Sequence, residues 1–396
     1  MQINSLIDLL RGVWRRRALL PVLLLASCID RFEPKVAQKS VGYLVIDGAI
    51  NAAGVSTIRL SRTQNLGNKT APPAEIKANV FIEQEAGTRY PLAETAPGTY
   101  TSAVLTLSPD KRYRLFVRSS GQREYASDFV QAKITPAIDS VTWQISDKGL
   151  QFYVNAHDAA NNTRYYRWDY EETWDFNSAF RAQIELRNNR LQLLTEDINH
   201  CWATARAPSI KLSSTVKLTQ DVVTHYPLTL LPSNSTKLQV KYSILVRQYA
   251  LTAAEFAYWE LLQKNTESLG TLFDPLPSQL VGNVHALSDA SETVIGFVGV
   301  QSVTEQRLFI DRNRDLPRTN AWLPVTGYES CVRVDTILVR NPTGPQDPRY
   351  ISYFKDNPFA PIEFIDSRTK PAYSYSTAEC VDCRKRGTNK QPDFWK

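Results

Sequence analysis

Short segments that alternate apolar and polar residues, separated by turn residues, recur along most of this chain. Residues 43–47 and 57–61 are two such segments, joined by a polar, Gly-containing stretch that is typical of a hairpin. Alternation with a period of two places one face of a strand against a core. The 18 Tyr, 15 Phe and 8 Trp among 396 residues also favour strands over helices. We therefore predict a mainly β protein.

The first group of predicted strands lies between residues 42 and 136. Regularly spaced short strands of this kind predict an immunoglobulin-like or prealbumin-like β-sandwich. Pro136 marks a plausible boundary, because the alternation restarts directly after it. The sequence thus predicts two β-sandwich domains in series, of which this is the N-terminal one.

The second predicted sandwich covers residues 137–312 and is of the fibronectin type. Its strands follow the same alternation, with aromatic residues frequent on one side. The segments that predict them are 141–145, 150–154, 164–170, 237–246 and 294–300.

One helix is predicted inside the second sandwich, at residues 252–269. Thr252 and Glu255 form a capping-box pattern, in which hydroxyl and carboxylate each accept a hydrogen bond from a backbone N–H at the helix start. Gly270 is a typical stop. Apolar residues recur at roughly helical spacing, so we expect one side of the helix to lie on a sheet; they are Phe256, Trp259, Leu262 and Leu269.

The first 28 residues follow the pattern of a lipoprotein leader. A basic segment precedes an apolar run at residues 18–25, which is too short to span a bilayer and is typical of a signal peptide. Residues 25–28 resemble the lipobox of bacterial lipoproteins. We expect a signal peptide over residues 1–27, a diacylglycerol thioether with further acyl chains such as palmitate on Cys28, and a tether over residues 28–41.

Four cysteines remain besides Cys28, an even number that favours two disulfides in an exported protein. They are Cys201, Cys331, Cys380 and Cys383, and three pairings are open. Cys380 and Cys383 also have the spacing of a redox CxxC pair, but no helical pattern follows them. We expect structural disulfides in a C-terminal extension at residues 313–396.

Charge and motif content exclude several function classes. The net charge is +6, and half of it lies in the leader, so nucleic acid is not an expected partner. The four His have no metal-binding spacing, and no phosphate-binding loop or hydrolase nucleophile elbow occurs. The carboxylate pairs Glu171 with Glu172 and Asp169 with Asp175 are typical of a solvated strand face. We expect no enzyme activity, no catalytic residue, no metal and no cofactor.

Aromatic residues alternate with charged ones along residues 165–176. Arg167 and Asp169 occupy one predicted face. The other face carries an aromatic stripe of Tyr166, Trp168, Tyr170, Trp174 and Phe176, interrupted by Glu172. Two interpretations are open: the stripe is the interior of the sandwich, or four of its residues, Tyr166, Trp168, Tyr170 and Trp174, stack on a sugar ring or seat against a partner.

Several segments spread along the chain match those of a known protein family. They are residues 43–48, 138–141, 165–168, 171–173, 241–251, Trp259, 265–267, 273–279, 282–283, 380–384, Gly387 and 392–395. Together with the lipobox at Cys28, these segments resemble the Bacteroidota outer-membrane lipoproteins of domain-of-unknown-function family 4249. The resemblance extends over nearly the whole chain.

The resemblance implies no activity and no active-site residues. It implies a lipoprotein that often accompanies a TonB-dependent outer-membrane transporter of the SusC-like kind. We therefore expect a non-enzymatic accessory subunit that aids substrate capture or uptake. The resemblance also implies that the acylated Cys28 anchors the chain in the outer membrane; Asp30 and Glu33 favour display on the cell surface, with the periplasmic face as the alternative. The alternative is an independent surface adhesin or a lipoprotein that binds a glycan or peptide ligand.

Overall fold

The computed structural model describes residues 42–65, 67–267, 280–331, 335–338, 348–366 and 371–396. The predicted signal peptide, Cys28, the tether and residues 268–269 of the predicted helix lie outside the described residues. No helix within the described ranges is both long and apolar enough to cross a membrane.

Strands make up 49% of the described residues and helices 12%, which confirms the predicted mainly β class. In chain order the strands are β1 (Leu44–Asn51), β2 (Ala53–Arg62), β3 (Asn79–Gln84), β4 (Arg89–Ala96), β5 (Thr99–Thr106), β6 (Arg112–Arg118), β7 (Glu124–Ser127), β8 (Val130–Gln131), β9 (Ile138–Ser146), β10 (Gly149–His157), β11 (Tyr165–Asn177), β12 (Ile184–Arg187), β13 (Arg190–Leu193), β14 (His200–Arg206), β15 (Lys211–Ser214), β16 (Val222–Leu231), β17 (Lys241–Ala250), β18 (Val284–Ala286), β19 (Val294–Ile295), β20 (Val300–Gln301), β21 (Val303–Asp311), β22 (Asp335–Leu338), β23 (Phe359–Ile365) and β24 (Ala372–Thr377). The helices are α1 (Ala253–Glu267), α2 (Arg312–Asp315), α3 (Pro348–Asp356) and α4 (Ala378–Val381), with short 3-10 turns at Thr236–Leu238, Asn320–Trp322 and Cys383–Lys385.

The first sheet has the strand order β18-β7-β6-β3-β4-β5-β2-β1-β19, with β8 added on β6 and β20 on β1. Alternate residues of these strands face one core, which includes Leu44, Ile58 and Tyr100. The outer strands β18 and β19 approach each other, so the sheet is nearly closed into a barrel. The Asn283 amide bridges this gap: it donates to the Val298 carbonyl oxygen at 3.1 Å and accepts from the Val298 N–H at 2.8 Å.

The assignment of residues 294–300 to the second sandwich is wrong. These residues form β19 and β20, which both pair parallel to β1 in the first sheet. Between them Gly296 has a φ of +140°, and a Cβ there would lie 2.2 Å from the Ile46 carbonyl oxygen. Local alternation does not reveal a pairing between segments so distant in sequence. The predicted domain of residues 137–312 therefore contributes strands to the first sheet.

Two further sheets pack face to face as a second sandwich. One has the order β16-β10-β9 and the other β14-β11-β17-β21, with β15 also paired to β11. Their facing sides share one core, to which Phe152 of β10, Trp168 of β11 and Ile244 of β17 contribute fully buried side chains. A two-layer β-sandwich is thus present where the sequence predicted one.

The predicted helix is present as α1, lying against β11. The Thr252 hydroxyl oxygen accepts the backbone N–H of Glu255 at 3.1 Å, which is the first half of the capping box. The second half is not formed, because the buried Glu255 side chain turns away from the helix start toward Gln301. Phe256 packs on Tyr165 of β11, with ring centroids 5.0 Å apart.

Two disulfides tie the C-terminal region to the second sandwich and to itself. Cys201 of β14 bonds to Cys383, and Cys331 bonds to Cys380. Two disulfides were predicted and are confirmed, and the structure selects one of the three open pairings. Cys380 and Cys383 bond to different partners, so the CxxC spacing does not mark a redox pair here. A small sheet of order β22-β24-β23 and the hairpin β12-β13 complete this region.

Candidate functional site

The aromatic stripe is interior. Tyr166 and Trp168 are 0% exposed and Tyr170 is 3% exposed, and their polar atoms have internal partners. The Tyr166 hydroxyl donates to Asp221 at 2.7 Å, and the Trp168 indole N–H donates to Gln248 at 2.8 Å. These three rings offer no face to a ligand, so their assignment as ligand candidates is wrong.

Trp174, the fourth ligand candidate, is half-buried at the edge of the same core. The Lys237 ammonium lies 5.1 Å from the centroid of its ring, which is a cation–π arrangement. Lys237 also donates to the buried Glu172 at 2.6 Å, and the Tyr242 hydroxyl donates to the same carboxylate at 2.9 Å. Trp174 therefore covers a buried ion pair, which is a structural role.

The opposite face of β11 lines a cleft of about 740 Å³. Alternation along β11 directs Arg167 and Asp169 away from the aromatic core and into this cleft. One wall is formed by β1 and the segment 295–301 of the first sheet, and the other by β11, β17 and β21 of the second sandwich. Helix α1 adds a third side. The cleft therefore lies where the two β bodies meet, a common place for a binding site.

Arg247 of β17 organises the acidic side of this cleft. Its guanidinium lies 2.8 Å from a Glu305 oxygen, 3.4 Å from Asp169 and 3.8 Å from Glu171. Burial alone would lower the pKa of Arg247, but Asp169 and Glu305 outweigh burial and raise it. Asp169 also accepts the Tyr249 hydroxyl at 2.8 Å. These acids are thus already paired within the protein.

Unlike Arg247, Arg167 is held in place by aromatic rings and not by carboxylates. Its Cζ lies 4.0 Å from the ring centroid of Tyr249 and 4.5 Å from that of Trp259, so the guanidinium contacts two aromatic rings. The nearest carboxylate contact is to Asp169 at 3.7 Å, which is beyond hydrogen-bond range. Its Nε is buried without a hydrogen-bond partner. Arg167 therefore keeps donors available while its position is fixed by packing.

Glu255 of α1 is buried beside Arg167. Gln301 donates its amide N–H to a Glu255 oxygen at 3.2 Å, and the indole N–H of Trp259 faces the carboxyl without completing a hydrogen bond of good geometry. Burial raises the pKa of Glu255 to about 7, although Arg167 and Lys133 oppose the shift. Gly299 closes over this pair, since a Cβ there would lie 2.3 Å from the Glu255 carboxylate oxygen. A carboxyl group that is partly protonated at neutral pH is thus built into the cleft.

Of the other carboxylates considered from the sequence, Glu171 lies beside Arg247 at the cleft, whereas Glu172 and Asp175 lie away from it. Glu171 and Glu172 point to opposite faces of β11, as their adjacency predicts. Asp175 contacts His200, with 3.0 Å between carboxylate oxygen and ring nitrogen, and does not pair with Asp169. Within the described ranges no group of three or more His, Cys, Asp or Glu is placed to hold a metal ion.

Sequence reasoning missed the cleft residues Arg167, Arg247, Tyr249, Glu255 and Trp259 as a site. The alternation along β11 correctly directed Arg167 away from the core. The outward face of β11 is covered by β1 and residues 295–301. Their position depends on parallel pairing between segments distant in sequence, which local alternation does not reveal. Glu255 was interpreted only as a helix cap, because its pattern fits a capping box.

A family model of a domain of unknown function (DUF4249) matches residues 29–307. The chain belongs to this family. The part of the chain that matches the DUF4249 model includes every residue that lines the cleft. The family assignment made from the sequence is thereby confirmed, whereas the lipoprotein and outer-membrane features stay predictions. None of the curated proteins matches the chain.

Solved structures give only distant similarities to this DUF4249 chain. A DUF4785 family protein from Legionella pneumophila is 9% identical, with 51% of each chain covered and a TM-score of 0.19. The adhesin InvE from Yersinia pseudotuberculosis is 14% identical, covering 52% of this chain and 54% of that one, with a TM-score of 0.15. A BSP domain of a biofilm associated protein is 8% identical, covering 88% and 79%, with a TM-score of 0.16. The first two matches span about half the length of those chains, and none of the three informs the function of this one.

Proposed function

We propose that this protein is a non-enzymatic, lipid-anchored outer-membrane protein that serves a TonB-dependent, SusC-like transporter as an accessory subunit. In this role it captures the substrate of the transporter in the cleft between the two β bodies. The observation that carries the proposal is the cleft itself, whose volume of about 740 Å³ is in the range of small-molecule binding sites. Its floor holds a fixed guanidinium with unused donors, which suits binding.

Two further features support a location outside the cytoplasm. The sequence around Cys28 resembles a lipobox, which would attach the mature chain to a membrane through acyl chains. Both disulfides are of the kind that persists in an oxidising compartment. Display on the cell surface, favoured by Asp30 and Glu33, belongs to the same proposal.

The alternative of an independent adhesin or glycan binder rested on exposed aromatic rings. Trp168 is buried and Trp174 is half-buried under Lys237, so the stripe offers no binding surface. A ligand of any class, glycan or peptide, is therefore assigned to the cleft and not to these rings.

Co-purification tests the accessory role. The full chain, tagged at its C-terminus, is extracted from outer membranes of its native host in mild detergent and purified. The proposal predicts a TonB-dependent barrel protein in stoichiometric amount. A Cys28→Ser variant keeps every residue of the folded body but lacks the anchor. It should be reduced in the membrane fraction, and the barrel should no longer co-purify with it from that fraction. A wild-type chain that always isolates without a barrel contradicts the proposal.

A further inference from the structure

We propose that the cleft recognises the carboxylate group of a small organic anion and that Arg167 is the residue that binds it. This inference rests on the proposed function, in which the cleft is the capture site, and it names the chemical class that the site takes. It follows from which charges in the cleft are already paired and which are not.

Two acids inside the cleft are hydrogen-bonded, whereas several of its arginines have no hydrogen bond to an acid; Asp47, which also lines the cleft, is exposed and meets only Arg59. Asp169 accepts the Tyr249 hydroxyl and Glu305 accepts Arg247, each at 2.8 Å. Three guanidinium groups, by contrast, meet carboxylates only at distances beyond hydrogen bonding; they are Arg167 at 3.7 Å, Arg206 at 3.8 Å and Arg59 at 3.9 Å. Apart from the solvent-exposed Asp47, the unused capacity of the cleft is therefore for donating hydrogen bonds to an anion.

Arg167 has the strongest claim among these three. Arg59 and Arg206 have side chains that are 54% and 69% exposed, so water satisfies them, whereas the Arg167 side chain is 15% exposed. Contact with the Tyr249 and Trp259 rings fixes its guanidinium. A fixed planar fork of N–H donors matches the two oxygens of a carboxylate and loses little side-chain entropy on binding. Its terminal nitrogens have no hydrogen bond within the protein and are not enclosed as Nε is, so they are the donors that such a ligand can satisfy.

The neighbouring wall indicates what the rest of the ligand is like. Tyr258 and Phe297 line the cleft with ring centroids 5.4 Å apart, and Leu262 lies beside them. An apolar side chain or the face of a sugar ring would pack against this wall while its carboxylate reaches Arg167. Glu255 competes little for Arg167 below about pH 7, because burial raises its pKa to about 7.

A carboxylate attached to an apolar or ring-bearing body has two common sources outside a bacterial cell. One is the free C-terminus of a short peptide, and the other is a uronic acid in an acidic glycan. Both present the same planar anion to a guanidinium, so the test includes one probe of each kind together with its uncharged counterpart.

Calorimetric titration of the full-length purified protein tests the inference. The probes are the tripeptide Ala-Ala-Phe with a free C-terminus and its C-terminal amide, and trigalacturonate and its methyl ester. We expect at least one acid to bind, and to bind about tenfold or more tightly than its uncharged form. Binding of the peptide alone or of the uronate alone identifies the source.

Arg167→Gln is the matching variant, and we expect it to lower the affinity for that acid by about ten- to a hundredfold. Arg318→Gln is the control, because Arg318 is an exposed arginine outside the cleft that bonds only to a backbone carbonyl, and it should leave binding unchanged. The comparison of acid with amide or ester needs no variant, so it decides the question even if Arg167→Gln does not fold.

The opposing outcomes separate this inference from the proposed function. An uncharged probe that binds as tightly as its acid shows that the cleft binds by other chemistry, and an unchanged affinity in folded Arg167→Gln shows that Arg167 is not the residue that binds the acid. In either case the inference is wrong while the capture role stands. If neither acid binds up to about 5 mM, the assignment is also wrong, and co-purification with the barrel decides the accessory role separately.

Discussion

Individual residues in the cleft differ in how completely their polar groups are satisfied. Arg247 sits among three carboxylates, whereas Arg167 contacts two rings and has a buried donor without a partner. Most buried polar groups in proteins are hydrogen-bonded, so a largely buried guanidinium whose terminal nitrogens have no acceptor within the protein indicates a place for a ligand. Glu255 adds a buried carboxyl whose proton is held more tightly in the folded chain than in the unfolded one.

Glu255 predicts a pH dependence of stability. Its pKa is raised from 4.5 to about 7 by burial, so the unfolded chain ionises first as pH increases. Its contribution to the free energy of unfolding is therefore greatest below about pH 4.5, falls between about pH 4.5 and pH 7, and is constant above. The full change is about 3 kcal/mol in order of magnitude. The pKa of about 7 already includes the opposing effect of two nearby cations, Arg167 of β11 and Lys133.

Urea unfolding at about pH 5 and about pH 8 measures this effect. Glu255→Gln keeps the shape of the side chain and removes the titration, so the loss of stability between the two pH values should shrink relative to the wild type. Glu260→Gln on the same helix is the control, because Glu260 is half-exposed and pairs only with Lys264 at 3.2 Å. An equal loss in wild type and Glu255→Gln would show that Glu255 does not carry the effect.

At the scale of elements, the sequence predicted what depends on local pattern. Alternation along β11 correctly placed Arg167 outward, and the spacing after Thr252 correctly predicted α1. The sequence did not decide whether the aromatic stripe is buried in the core or faces a ligand. Alternation shows which residues share a face of a strand, but not what covers that face. The strands β18, β19 and β20 could not be assigned, because they are two or three residues long and pair with strands distant in sequence.

The two disulfides close loops of different length, which predicts different effects of removing them. Cys201 and Cys383 are separated by 182 residues, and Cys331 and Cys380 by 49. Loop-closure entropy predicts that each bond contributes about 2–5 kcal/mol, with the longer loop contributing about 1 kcal/mol more.

Paired serine variants test this difference by urea unfolding. Cys201→Ser with Cys383→Ser should lower the free energy of unfolding more than Cys331→Ser with Cys380→Ser. Each pair is changed together, so that no odd thiol remains to form a wrong bond. An equal loss from both pairs, or a larger loss from the shorter loop, would contradict the entropic account.

At the scale of the whole molecule, the chain combines three features that suit an anchored capture protein. The leader and Cys28 predict attachment to a membrane, the tether predicts a distance from it, and the folded body carries the cleft. Membership of the DUF4249 family is established by the match over residues 29–307. The family assigns no activity, so the cleft and its unpaired arginine are the features from which function is inferred.

Native mass spectrometry of the protein extracted from outer membranes tests this account most directly, because one spectrum reports both the anchor and the partner. The account predicts a mature chain that begins at an acylated Cys28 and is bound to one TonB-dependent barrel. A mass for an unacylated chain on its own would contradict it.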